Sequence, residues 1–172
     1  MKKQLAVLAF TVFAGTMFAQ GALRPIAGAS IDRNTKLPVY WLAQCQPKDK
    51  LTVKAILDDK GKTKAVTFAP TINHLDFFGN AINFEAGDEF TLIVKLKGKG
   101  SVEVGYIAYK SDNGYLFSSR SNPITLTGAE QTITMKFTVK DGKNYPTAKI
   151  RPNIRVIKGT VCEIYSAVLS EE

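Results

Sequence analysis

Residues 90–97 read Phe90, Thr91, Leu92, Ile93, Val94, Lys95, Leu96 and Lys97, and this stretch decides the fold. Phe90, Leu92, Val94 and Leu96 fall on one side of an extended chain, Thr91, Ile93, Lys95 and Lys97 on the other. A period of two means a strand with one buried and one solvated face, the mark of an antiparallel sheet.

The pattern repeats outward from there. Val102, Val104, Tyr106 and Ala108 follow Gly98 and Gly100, which are expected to turn the chain, and Asp112-Asn113-Gly114 ends the run. Ile133, Met135, Phe137 and Val139 alternate with Thr132, Thr134, Lys136 and Thr138. Ile150, Pro152, Ile154 and Val156 alternate with Lys149, Arg151, Asn153 and Arg155. Upstream, Leu51, Val53 and Ala55 lead into the hairpin signal Asp58-Asp59-Lys60-Gly61. Residues 65–68 and 81–84 are short strands, and the last run covers residues 161–169. Downstream of the first 21 residues, no stretch holds a 3.6-residue apolar period over helix length. Evenly spaced strands of this kind predict an all-β antiparallel β-sandwich or barrel. Pro152 places its strand at an edge or a bulge. Residues 70–80, which include His74, fit neither period and read as a loop.

The chain has 172 residues, 45% of them hydrophobic and 10% aromatic, enough for one core and too short for two ordinary domains. Lys2 and Lys3 precede an apolar run over residues 5–18, with small residues at Ala19, Gly21 and Ala22, which is the grammar of a secretory signal. The run is shorter than the roughly 20 residues of a membrane span. The expected organisation is a signal peptide at 1–21, an N-terminal extended segment at 22–36 and the β-sandwich at 37–172. The expected location is secreted or periplasmic, with no transmembrane segment after signal removal.

Export makes Cys45 and Cys162 candidates for a disulfide. Such a bridge would close a loop of roughly 120 residues and stabilise by up to about 4–5 kcal/mol in the chain-entropy account. It requires the first and last strands to be neighbours. The alternative is two buried thiols acting as small hydrophobes.

Removing Lys2 and Lys3 from the 23 basic residues leaves 21 against 15 acidic ones, a net charge of +6. Moderate basicity in an exported protein suggests acidic polymers or anionic surfaces, and is equally accounted for by solubility alone. No helical reader or base-stacking motif accompanies it, so nucleic acid is not an expected partner. His74 is the sole histidine, which excludes His₂ and His₃ zinc centres within one chain. No G-x-S-x-G or H-E-x-x-H pattern surrounds it. Glu85, Asp88, Glu89, Glu103 and Glu163 are scattered over different strands and turns, so no catalytic residues are assigned and no enzyme is expected.

Sugar binding needs flat apolar rings for pyranose faces and polar groups for hydroxyls. Tyr40 and Trp41 are consecutive and face opposite sides, so one can be core while the other is exposed, and Trp41 is the better core candidate of the two. Trp41, Phe77 and Phe78 make one candidate ligand patch, built on a loop. Tyr106 joins Val102 and Val104 inside, which leaves Tyr109 on the solvated face, and Tyr115 follows a turn onto the rim. Arg151, Asn153 and Arg155 share one side of a strand with Lys149, and with Tyr109 form a second patch. Lys95 and Lys136 extend this into a basic platform if their strands are neighbours in the same sheet; the alternative is a solvated edge strand whose charges discourage aggregation. Arg forks suit carboxylate or sulfate groups.

The order of elements resembles jelly-roll carbohydrate-binding modules with a galactose-binding-like fold. The resemblance rests on Pro38-Val39-Tyr40-Trp41, on Phe84 through Gly87 to Phe90 and Leu92, on Leu126-Thr127-Gly128 leading to Met135 and Val139, and on Gly159-Thr160-Val161 through Ile164 to Leu169. It covers residues 37–169. The chain departs from the family at Glu130-Gln131, where many relatives carry an aromatic. It departs again at Tyr165 and Ser166, where relatives usually carry acids. The resemblance implies a structural calcium ion, for which Asp58, Asp59, Glu85, Asp88 and Glu89 would supply oxygens. The second departure argues against that ion, and no cofactor is assigned. The function it implies is a non-catalytic module for a polysaccharide or glycan, an acidic one on the charge argument. The alternative is a structural or protein-binding domain of a surface or envelope assembly.

Overall fold

The structure is a computed structural model that describes residues 26–48 and 52–171. The expected signal peptide lies outside the described residues. Ten strands follow in order: β1 (Leu42–Gln44), β2 (Val53–Leu57), β3 (Thr63–Phe68), β4 (His74–Phe78), β5 (Ile82–Asn83), β6 (Glu89–Tyr109), β7 (Tyr115–Arg120), β8 (Ile124–Thr138), β9 (Lys149–Ile157) and β10 (Val161–Glu171). All their pairings are antiparallel. There is no α-helix among the described residues, and so no helix long and apolar enough to cross a membrane.

The predicted β-sandwich is formed, and β6 is its spine. Residues 90–99 of this 21-residue strand pair with β10, and β10 continues to β3 and β2. Residues 102–109 pair with β9, which continues to β4 and β1. β8 flanks residues 89–102 and β7 flanks residues 105–109. One strand therefore serves both layers.

The bend lies at Gly98 and Gly100, which do not turn the chain back as expected. A Cβ on Gly98 would meet the backbone carbonyl of Val161 and the Cβ of Cys162, and Gly100 has φ 107°. Gly128, expected to mark a turn, is likewise inside β8 (φ 92°), where the register with β6 slips between Lys97 and Lys99. Bends and bulges of this kind let strands switch sheets at a sandwich corner.

The two layers meet through side chains of the expected parity. Phe90, Leu92, Val94 and Leu96 are all 0% exposed, as are Val102, Val104, Tyr106 and Ala108. Phe68 on β3 packs edge-on against Phe77 on β4 at 5.0 Å, and Tyr106 meets Phe90 and Phe137 at 5.7 and 5.9 Å. The Tyr106 hydroxyl donates to the Thr138 carbonyl and accepts from the Lys140 N–H, so its burial leaves no polar atom unpaired. The lead-in is tied down as well: Ile26 is fully buried, and the Gly28 and Thr63 amides bond across to Thr63 and Ala29.

Three further expectations are corrected. Residues 70–80 are not all loop, because His74–Phe78 is a strand between β1 and β9. Pro152 is not at an edge, because β9 lies between β4 and β6. Its carbonyl accepts from Gly79 N–H, so its missing N–H faces the gap between β4 and β5 where no ladder partner is required. Cys45 and Cys162 are not bridged. Cys45 follows β1, whose partner is β4, while Cys162 sits on β10 between β3 and β6, so the first and last strands are not neighbours. Cys45 Sγ donates to the Pro47 carbonyl, and burial pushes the Cys162 thiol up to about 12.

Candidate functional site

The outer face of the β1-β4-β9-β6-β7 layer reads as rows across the strands, because opposite residues in an antiparallel ladder project to the same side. The first row is Gln44, Asp76, Arg155 and Glu103. The second is Leu42, Phe78, Asn153, Gly105 and Arg120. The third is Arg151, Ile107 and Ser118, and the fourth is Lys149, Tyr109 and Tyr115. Much of this set lines a groove of about 480 Å³, along with Cys45, Gln46, Asn73 and His74.

Asp76 is the hub. Arg155 Nε and Nη2 donate to its Oδ1 and Oδ2 at 3.0 and 2.9 Å. Asn153 Nδ2 donates to Oδ1 at 3.3 Å, and Arg120 Nη2 stands 3.5 Å from the same oxygen. His74 Nε2 lies 3.8 Å from Oδ2. Burial by itself would raise the Asp76 pKa. The Arg155 hydrogen bonds and charge, then the Arg120 charge and the Asn153 bond, outweigh it and hold the carboxyl below its ordinary value. Arg155 is raised: burial works against its charged form, and Asp76 more than offsets it. Arg120 is lowered, chiefly by burial.

Gly105 makes this geometry accessible. It sits between Asn153 and Arg120 in the second row, and a Cβ there would collide with the Ser119 carbonyl on β7. Without that Cβ, β7 closes up, and Arg120 Nε reaches Asn153 Oδ1 at 2.7 Å.

The aromatic residues divide by parity. Trp41 and Phe77, expected as ligand contacts, are core: they are 2% and 0% exposed and stack on each other at 4.6 Å. A ring sealed on the inner side of its strand offers no face to a ligand. Phe78 points the other way and lines the groove, as do Tyr109 and Tyr115. Tyr115 is 64% exposed at the rim, with its ring centre 6.4 Å from that of Tyr109. Arg151 lies between two of these rings, its guanidinium 5.6 Å from the Phe78 centroid and 5.3 Å from that of Tyr109.

The structure thus joins Phe78, Tyr109, Tyr115, Arg151 and Arg155 on one face and removes Trp41 and Phe77; Asn153 shares that side of its strand, but it is 0% exposed with its amide spent on Asp76 and Arg120, so it is a strut of the site and not the expected ligand contact. Lys95 and Lys136 are not part of it. They lie on the outer face of the other layer, paired with Glu130 at 2.8 Å and Glu89 at 3.0 Å. Asp76, Arg120 and Gln44 belong to the site and were not singled out from sequence. The signal for Asp76 was the alternation of Leu75 and Phe77 with His74, Asp76 and Phe78. It was masked by the Pro, Asn and Gly residues around it. Arg120, at the end of a Tyr-Leu-Phe-Ser-Ser-Arg strand with no clean period, gave none.

Asp58, Asp88 and Glu89, named for a calcium ion, have local partners. Asp58 Oδ1 accepts the Lys60 and Lys62 amides, Asp88 Oδ2 accepts the Glu85 amide, and Glu89 pairs with Lys136. Among the described residues no group of three or more His, Cys, Asp or Glu side chains is placed to hold a metal ion.

No family model matches the chain, and no curated protein matches it. Solved structures do match. The active domain of tailspike protein 4 of bacteriophage CBA120 superposes with a TM-score of 0.60 at 13% identity, over 86% of this chain and 22% of that one. The CBM22-1–GH10 modules of Clostridium thermocellum endo-1,4-β-D-xylanase 10B, complexed with xylohexaose, give 0.59 at 10% identity, over 90% and 29%. This chain spans about a quarter of the length of those proteins. A family 4 carbohydrate-binding module gives 0.51 at 16% identity, and there the match covers 87% of this chain and 95% of the module. In fold, the chain is a jelly-roll β-sandwich of the kind that carbohydrate-binding modules carry.

Proposed function

We propose that this protein is a secreted or periplasmic, non-catalytic glycan-binding module, and that the β1-β4-β9-β6-β7 groove is its binding face. The observation that carries the reading is the placement in one groove of Phe78, Tyr109 and Tyr115 beside Gln44, Arg120 and Arg155, with Arg151 packed against two of the rings. Rings supply apolar surface for pyranose faces, and amides and guanidiniums supply hydrogen bonds to hydroxyls. The shared fold supports it, since a solved carbohydrate-binding module matches nearly end to end.

The chemistry of the groove favours holding a ligand over transforming it. A general acid for glycoside cleavage needs a raised carboxyl pKa. Asp76, enclosed and ringed by cations, is lowered instead and cannot carry a proton at neutral pH. Burial raises the Tyr109 phenol, which keeps its proton. Three guanidiniums (Arg120, Arg151 and Arg155) face two carboxylates (Asp76 and Glu103), and this excess favours acidic polysaccharides. The face is open to water, so each site binds weakly.

Native affinity electrophoresis in gels containing neutral or acidic polysaccharides tests the reading. Retardation by at least one polymer is expected, weakened by Tyr115→Ala. Absence of retardation in every gel at low and moderate salt would overturn it.

A further inference from the structure

The three guanidiniums of the groove face are not equivalent. Arg155 is forked onto Asp76, and Arg120 is held by Asn153 and Asp76. Arg151 has no hydrogen bond and no ion-pair partner among the described residues, and its Nε is buried without an acceptor. The buried Nε is out of a ligand's reach, but the Nη groups are not among the buried atoms and carry no hydrogen bond, so they are the donors open to an external anion. The side chain is also held in place. Packed between Phe78 and Tyr109, its plane is fixed before any ligand arrives, so little freedom is lost on binding. The same packing sets part of those two rings against a cation, which leaves Tyr115 as the exposed stacking surface.

Its position fits an external anion. In the third row Arg151 faces Ile107 and, beyond it, Ser118, so no carboxylate stands across from it. In the first row Arg155 faces Asp76 on one side and Glu103 on the other. The acidic residues of the face are spent on Arg155 and Arg120.

We propose that Arg151 is the residue by which this groove selects anionic sugars, its guanidinium forking onto a uronate carboxylate or a sulfate ester of the bound glycan. The inference rests on the groove being a glycan site. It separates one specificity-determining arginine from two that hold the floor of the groove in shape.

The test is a pair of binding ratios, measured by affinity electrophoresis or calorimetry at low salt. Polygalacturonate against its methyl ester isolates the carboxylate, and dextran sulfate against dextran isolates the sulfate. The wild-type protein is expected to prefer the charged member of at least one pair by about tenfold or more; the pair that responds identifies the source of the charge. Arg151→Gln reduces that preference below about threefold, and Arg151→Lys, which keeps the charge and loses the fork, leaves an intermediate value. Thermal unfolding of both variants checks that they are folded. Lys97→Gln removes the same charge from the opposite layer and leaves the preference intact. An unchanged ratio in Arg151→Gln, or an equal loss in Lys97→Gln, overturns the assignment. A wild-type protein that binds glycans through Tyr115 with no preference for charge overturns it too, while leaving the glycan reading standing. If no polymer binds at all, the glycan reading itself fails.

Discussion

Asp76 on β4 and Arg155 on β9 face each other in register, and the guanidinium delivers two parallel hydrogen bonds to the carboxylate at 3.0 and 2.9 Å. Both side chains are mostly enclosed, 18% and 23% exposed, and Arg120 stands against the same carboxylate. Removing the acid leaves two guanidiniums close together without a counter-charge. Asp76→Asn is expected to cost about 2–4 kcal/mol, below the fully buried range because the cluster is open on the groove side. Denaturant unfolding at pH 7 measures it.

The same pair sets an acid limit. The folded-state pKa of Asp76 lies below its unfolded value, so its contribution is complete above about pH 4 and is lost as pH falls through the folded value. The stability difference between wild type and Asp76→Asn should therefore shrink on acidification below about pH 4 and stay flat from pH 5 to 8. Paired unfolding curves across that range check the sign.

Trp41 and Tyr115 should separate stability from binding. Trp41→Ala opens a cavity beside Phe77 and is expected to cost about 3–5 kcal/mol. Tyr115→Ala, at an exposed rim, changes stability by no more than about 0.5 kcal/mol and weakens glycan retention. Measuring both properties on both variants decides whether the parity assignment is right.

Gly105→Ala pushes a methyl group into the Ser119 carbonyl and should displace β7, at a cost of about 1–3 kcal/mol. Hydrogen exchange is expected to show faster exchange confined to β7 and to the segment of β6 it covers.

Both cysteines should be recovered as thiols. Alkylation in denaturant, without reductant, is expected to modify Cys45 and Cys162 together. In the native protein Cys162 should resist the same reagent, because it is buried and its thiolate is disfavoured. Recovery of neither thiol would restore the bridge.

The alternation that begins at Phe90 was enough to place most of the core, since Leu92, Val94, Tyr106, Ile150 and Ile154 all lie where period two puts them. What it could not convey was where a strand ends. Gly98, Gly100 and Gly128 carry the local chemistry of turns, yet here the first two relieve crowding against β10 and the Thr160 that precedes it, and Gly128 supplies a positive φ, where long strands bend between layers. Pro152 signals an edge only if every neighbour is continuous, and the gap between β4 and β5 is a tertiary fact. The site was half legible for the same reason. Arg151, Asn153 and Arg155 share one strand, so spacing alone aligns them. Asp76 and Arg120 join them through register between distant segments, which a local period does not encode.

If glycans dock on the β1-β4-β9-β6-β7 face, amide and side-chain NMR titration with oligogalacturonate, and in parallel with xylohexaose, will locate them there. At least one ligand is expected to shift resonances of Phe78, Tyr109, Tyr115 and Arg151 while leaving Lys95, Lys97 and Lys136 on the opposite layer unmoved. Shifts confined to that opposite layer, or no shifts with either sugar at millimolar concentration, would contradict it.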